Sequence, residues 1–465
     1  MIKRASVIGL GKLGSPLVAS FASHGIPTIG LDINSEYVKA LQEGRAPVQE
    51  TDLQKYIDQY HWVISATSDW EEAVMKSDAS FIVVPTPSNP DGSFSNKFVV
   101  DACEKIGMAL RAKKEFHIVA VVSTIMPESS EDEIIPILEA FSGKRAGIDF
   151  GYCYSPALIA LGSVIRNFLN PDLVMIGESD KRSGQDLEMF YRAVVGQKPA
   201  IHRVGLAEAE LAKIALNTFI TTKISFANML GMLSDKLGIN VDNVTKIIGS
   251  DSRVGSKYLK AGGSYGGPCF PRDNRALARA AERLHMETFL PQATDRTNTQ
   301  LIQNLYWEIE ECLPTRSHSV GVIGLAYKLD TDVVEEAMGT RLAQMLAANR
   351  IPVIAYDPLA EKSAKKILDG AVSFASSLEE CLKKASVIVV ANPYPELANI
   401  DPAMLGGKTI IDCWRIVKKN RCLRARHLIN ERIRGKRIAD QESVWLKEHT
   451  AACDGCGTLL DELNS

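Results

Sequence analysis

Short apolar runs rich in β-branched residues alternate with helical patterns over the first part of the chain. Candidate strands lie at 5–8, 28–31, 81–84, 118–122 and 173–176, with helix-like periodicity between them, as at 36–43 and 99–111. This alternation predicts a parallel, doubly wound sheet. From Ala207 to about Leu237 the strand signal stops. There Leu211, Ile214, Ala215, Phe219, Ile224 and Met229 recur at helical spacing, which predicts one long helix. Helical sequence continues to about Leu313, and a turn-rich stretch at 314–317 follows. The run Ser319-Val320-Gly321-Val322-Ile323-Gly324 then opens a second α/β unit, with candidate strands at 353–356, 386–390 and 408–412. The expected division is an α/β domain at 1–205, a helical middle domain at 206–313, a second α/β domain at 314–441 and a polar, peripheral tail at 442–465.

A length of 465 residues suits about three such domains. The formal charge of -3 gives no strong field toward nucleic acid or an anionic membrane, and no stretch nears the apolar length a bilayer crossing needs. The apolar run before Gly9 is too short for a signal-peptide core. Nine scattered cysteines, without the spacing of a disulfide framework, point to a reducing cytoplasm.

Gly9-Leu10-Gly11-Lys12-Leu13-Gly14 reads G-x-G-x-x-G between a strand and an amphipathic helix. The first glycine permits a tight turn. The second lets a pyrophosphate approach the backbone, and the third lets helix and strand pack closely. The phosphate then sits where unpaired helix N–H groups and the dipole favour negative charge. Asp32 ends the second strand, 18 residues after Gly14, where a carboxylate binds ribose hydroxyls and repels a 2′-phosphate. The cofactor expected is therefore NAD, held by Gly9, Gly11, Leu13, Gly14 and Asp32.

The segment 261–273 places four glycines before Cys269, and a helical pattern follows from Asn274. Such glycine density suggests backbone close to a ligand. A cysteine at a helix N-terminus has its thiolate favoured by the dipole and by a cation such as Arg272. We read Cys269 as a nucleophile and the other eight cysteines as ordinary packed thiols. Cys453 and Cys456 resemble half a zinc site, but His449 and distant Cys422 complete it poorly, so no metal is expected.

Taken together, Gly9–Gly14, LQEGRAP at 41–47, Val84-Pro85-Thr86-Pro87, Ser123-Thr124, AEAELAKIALNTFITTKISFAN at 207–228, DSRVG at 251–255, the cysteine loop and GLAYK at 324–328 resemble the UDP-glucose/GDP-mannose dehydrogenase family. The resemblance implies an α/β fold of two Rossmann-like domains joined by a long central helix that also builds a homodimer. It implies a nucleotide-sugar substrate, with NAD on the first domain. A C6 alcohol would be oxidised through a Cys269 thiohemiacetal and thioester to the uronate. Lys213 and Asn217, i and i+4 on the long helix, would hold the developing oxyanion; from the residues alone they read as a solvated face. Asp273 with Thr124 would position or share the proton of a water. Thr86 and Thr124 would line the cofactor groove. Arg253 and Lys257, otherwise surface charges, would reach substrate. Tyr258, Gly263 and Gly266 would line the sugar site, and Lys328 the nucleotide site.

Two segments depart from the family pattern. Where the family usually has Pro-Glu-Phe-Leu-x-Glu-Gly, this chain has Pro156-Ala157-Leu158-Ile159-Ala160-Leu161-Gly162, so Ala157 and Leu161 replace both carboxylates. Glu335 stands where a substrate-contacting arginine is expected. These departures leave open a single two-electron oxidation of an unusual nucleotide-sugar, or a non-catalytic nucleotide-binding member.

Overall fold

The computed structural model describes residues 2–196, 198–368, 370–400, 402–405, 408–417 and 440–452. The chain forms two compact units, Met1–Asn217 with Arg275–Thr288, and Thr218–Asn274 with Phe289–Ser465.

The first unit is built on strands β1 (Ala5–Ile8), β2 (Thr28–Leu31), β3 (Ile64–Thr67), β4 (Ala79–Ile82), β5 (Ile118–Val121), β6 (Gly151–Tyr154), β7 (Leu173–Glu178) and β8 (Ala200–Val204). Their order is β3-β2-β1-β4-β5-β6-β7-β8. The first six run parallel, as the alternation predicts; β7 returns antiparallel to β6, and β8 runs parallel to β7. The order reverses beside β1, the topological switch at whose strand carboxyl ends such sheets bind ligands. Under one face Phe21, Phe81 and Phe190 stack with centroids 4.9–5.1 Å apart.

Strands β3, β6 and β8 escape the apolar-run reading. The first and last are sheet edges whose residues are mostly half-buried or exposed, so they need no apolar run. Strand β6, Gly-Tyr-Cys-Tyr, is fully buried but contains no aliphatic residue.

The second unit holds a five-stranded parallel sheet: β9 (Val320–Ile323), β10 (Val353–Tyr356), β11 (Ser373–Phe374), β12 (Val387–Val390) and β13 (Thr409–Asp412), in the order β11-β10-β9-β12-β13. This is the arrangement of the first five strands of the other sheet. The long helix runs Leu206–Leu237, close to its expected limits. Of the tail expected at 442–465, residues 453–465 lie outside those described. Residues Asp440–Ala452 form a helix, and its Leu446 is buried.

Candidate active site

The glycine turn behaves as its sequence demands. Gly9 has φ +103°, in the region that favours glycine, and its N–H bonds the Leu31 carbonyl at 2.7 Å. A Cβ on Gly14 would lie 1.7 Å from the Gly9 carbonyl oxygen, whereas one on Gly11 would meet nothing within 4 Å. The turn is therefore packed shut on one side and open on the other, at the start of helix Gly14–Ala22, and Leu13 stands at that helix's N-cap. The Asp32 carboxylate accepts the Leu10 N–H at 2.6 Å and the Asn34 N–H at 2.7 Å while staying partly exposed. It fixes the turn and still presents lone pairs to a ribose. Open backbone, a helix N-terminus and this acid fit a dinucleotide without a 2′-phosphate.

The second unit repeats the device in another register. Gly324 has φ +101° and its N–H bonds the Tyr356 carbonyl; a Cβ on Gly339 would fall 1.8 Å from the Gly324 oxygen. Here the matching acid, Asp357, is buried. It accepts the N–H groups of Leu325, Ala326, Leu359 and Ala360 and the Tyr394 hydroxyl. Donors from the chain surround this carboxylate, so it acts as a structural cap rather than a ribose ligand. Lys328 stands partly buried, its ammonium 5.9 Å from the Tyr327 ring centre.

Cys269 lies exposed at the start of helix Phe270–Arg283, and its carbonyl accepts the Asp273 N–H at 2.8 Å. Among the described cysteines only Cys269 is exposed. Burial pushes the thiols of Cys103 and Cys153 up, and that of Cys381 up to about 12, so those three are inert. Asp273 is buried in the first helical turn. Next to it, Asn274 bonds Thr221, Tyr265 and Asp295, which pins the helix start.

The glycines of the loop have neighbours in the chain itself. A Cβ on Gly262 would strike Trp414, on Gly266 the Glu336 carbonyl oxygen, and on Gly267 the Tyr327 ring; Gly263 faces Met338 and Trp414. Close packing within the second unit thus requires this glycine density. Tyr258, with φ +61°, is half-exposed and edge-on to Phe270 at 6.5 Å. Arg253 is exposed and paired with Asp251, and Lys257 is also exposed.

In the first unit Lys213 and Asn217 are buried, which excludes the solvated-face alternative. Thr86 donates its hydroxyl to the Thr124 carbonyl at 2.7 Å, and Ser123 bonds both the N–H and the carbonyl of Val84. The loops after β4 and β5 are thereby zipped together. Ile214, Met126, Phe94 and Ala276 close one small apolar cluster, so the long helix, these two loops and the later turns of helix Phe270–Arg283 share a core.

Sequence reasoning missed Glu210. Its carboxylate is buried among backbone N–H groups of the loop after β5. It also missed Glu50, which accepts the N–H groups of Gly162 and Val164 and holds the loop after β6. A pattern of neighbours in sequence shows neither, because their partners lie 80 to 114 positions away. Among the described residues no group of three His, Cys, Asp or Glu side chains could hold a metal; Cys422, Cys453 and Cys456 lie outside them.

Family models match most of the chain: the UDP-glucose/GDP-mannose dehydrogenase NAD binding domain over residues 3–195, the central domain over 207–300 and the UDP binding domain over 321–419. The chain belongs to the UDP-glucose/GDP-mannose dehydrogenase family. A UDP-glucose 6-dehydrogenase of Haloferax volcanii is 32% identical over 419 residues, covering 89% of this chain and 97% of that protein. A GDP-mannose 6-dehydrogenase of Pseudomonas aeruginosa is 30% identical, with 88% and 96% covered. The solved structure of a UDP-glucose dehydrogenase from Pyrobaculum islandicum matches with a TM-score of 0.84 at 32% identity, covering 90% of this chain and 96% of that one. As a dehydrogenase of this family with an intact glycine turn and Asp32, the chain uses NAD.

Against the family pattern, the two replaced carboxylates have a clear environment. Ala157 and Leu161 are half-buried and pack with Ile159 against the first unit's core. Glu335 is exposed, and its carbonyl accepts the Gly267 N–H at 2.8 Å, two residues before Cys269.

Proposed function

We propose that this family member oxidises the C6 alcohol of a UDP-linked sugar to the uronate through covalent intermediates on Cys269. The observation that carries the reading is the one exposed cysteine among those described, set at a helix N-terminus in a chain whose NAD turn is intact. Its similarity to UDP-glucose dehydrogenases and the UDP binding domain matched at 321–419 support the substrate class.

When bound by Gly9, Gly11, Leu13, Gly14 and Asp32, NAD supplies the hydride acceptor for each of the two oxidations between alcohol and acid. The chain's own residues do the rest. The Cys269 thiolate adds to the aldehyde carbon, and the carbonyl oxygen becomes the oxyanion of a thiohemiacetal. The buried Lys213 and Asn217 side chains donate to that oxygen. Loss of hydride from the same carbon leaves a thioester. Water then adds, the C–S bond breaks, and the thiolate leaves as the carboxylate forms. With Ala157 and Leu161 unable to carry a proton, Asp273 and Thr124 take that duty. Arg253, Lys257, Tyr258, Gly263, Gly266 and Lys328 form the proposed substrate contacts, and Thr86 supports the cofactor groove through Thr124.

Two NADH formed per nucleotide-sugar consumed, with a product that has gained one oxygen and lost two hydrogens, is the expected stoichiometry. A ratio of one overturns the four-electron reading.

We further propose the division into domains at 1–205, 206–313 and 314–441, and a cytoplasmic homodimer built on the long helix. No helix among the described residues is long and apolar enough to cross a membrane, and the described cysteines form no disulfide. Phe219, Phe226, Leu233 and Leu237 are exposed at spacings of seven, seven and four, one stripe on that helix. Light scattering should give twice the chain mass, and Phe226→Glu should halve it. A wild-type monomer at micromolar concentration would rule the dimer out.

A further inference from the structure

Glu210 lies on the long helix, three residues before Lys213, so the two share one turn. It is fully buried, an unusual place for a carboxylate unless the chain pays for it with donors. Backbone N–H groups supply two donors, and the Ser130 side chain bonds the carboxylate as well. Oε2 accepts the Glu128 N–H at 2.6 Å and Oε1 accepts the Ser130 N–H at 2.9 Å. Glu128 sits at φ +74°, where a non-glycine residue is held only by its surroundings. The Ser130 hydroxyl bonds that of Tyr152 at 2.7 Å, which ties the same turn to β6. The turn begins at Thr124, whose carbonyl is held by Thr86.

We propose that Glu210 is a positioning residue for the oxidation: its carboxylate locks the turn that carries Thr124 to the helical turn that carries Lys213. The activity arm rests on the function proposed above; the structural arm does not. Each oxygen takes one N–H, so the clamp is strongest with the carboxylate ionised. A protonated acid, or an amide, turns a donor toward one of these N–H groups and loses that bond. Burial pushes the Glu210 carboxyl up to about 7, against the hydrogen bonds from Ser130 and Glu128, which pull it down. The titratable groups facing it are Glu131, which raises it further, and the Tyr152 hydroxyl on β6.

The sign separates this clamp from general stability. The folded carboxyl keeps its proton to about pH 7, against about 4.5 when unfolded. The folded state therefore binds the extra proton across that window, and this group's contribution to global stability declines as pH rises through it. The clamp tightens over the same rise. A residue that merely supported the fold would move both in one direction.

The test is amide hydrogen exchange followed by mass spectrometry on the full chain, with kinetics on the same protein. In wild type, exchange of residues 124–134, corrected for its intrinsic pH dependence, should slow between pH 5 and 8. In Glu210→Gln that segment should exchange about tenfold faster or more, and its pH dependence should vanish. Its kcat should fall between about 10- and 100-fold while KM stays within about threefold, as for a misplaced catalytic group. Unchanged exchange in 124–134, or an unchanged kcat, overturns the proposal. If wild type oxidises no nucleotide-sugar, the proposed function fails and exchange alone decides the clamp. If Glu210→Gln does not fold, the wild-type pH series decides it, and a flat profile is the contrary result.

Discussion

Replacing Cys269 by serine should abolish uronate formation while leaving NAD affinity unchanged. Serine keeps the size and the position at the start of helix Phe270–Arg283, so the fold has no reason to change. What disappears is the thiolate that attacks carbonyl carbon, because a serine hydroxyl without an adjacent base stays protonated. The rate of acid formation should drop by roughly 10³-fold or more, the scale on which losing a nucleophile removes the covalent route. Acid-quenched wild-type protein should carry the mass of a nucleotide-uronyl thioester on the peptide containing Cys269, and the variant should not. Calorimetry should give the same NAD dissociation constant for both, within about twofold. Uronate production by the variant within tenfold of wild type would show that the sulfur is not the reacting atom.

The second large effect concerns two glycines three residues apart. Gly14→Ala places a methyl group 1.7 Å from the Gly9 carbonyl oxygen, which is backbone and has no rotamer by which to retreat. Strand β1 and helix Gly14–Ala22 must then separate at the centre of the first unit. The expected cost is about 4 kcal/mol or more, in the range reserved for overpacked cores, with NAD binding lost as a consequence. Gly11→Ala is the opposite case. Its methyl would meet no chain atom within 4 Å, so stability should stay within about 0.5 kcal/mol of wild type. That open side is where a pyrophosphate would approach, so NAD affinity should still fall about tenfold or more, about 1.4 kcal/mol. Thermal unfolding and NAD calorimetry on both variants separate the two roles. Equal loss of stability in both would mean that the open side is not open.

The same turn shows how far the residue pattern reaches. Gly9 and Gly14 answer local demands, a positive φ at the first and a missing Cβ at the second, while Gly11 leaves one side of the turn open. Asp32 is legible because its distance from Gly14 follows from one helix and one strand. Its counterpart Asp357 also follows a glycine turn, yet it is buried under four backbone N–H groups, an environment its own sequence neighbours do not show. Lys213 and Asn217 give the reverse case. Their spacing on a helix suits solvent equally well, and only the packing around Ile214 puts them inside.

Sequence alone determined the order of elements, the two α/β units, the long helix, the cofactor turn and the position of the exposed cysteine. Each of these is set by periodicity, or by backbone geometry that a few adjacent residues impose. Tertiary structure alone decided the antiparallel return of β7, the half-exposed edge strands, the burial of Leu446 and the work of Glu50 and Glu210. Those depend on which distant amide or apolar face meets each residue once the chain has folded. A carboxylate far along the chain reads as one more surface charge until unpaired N–H groups are brought around it.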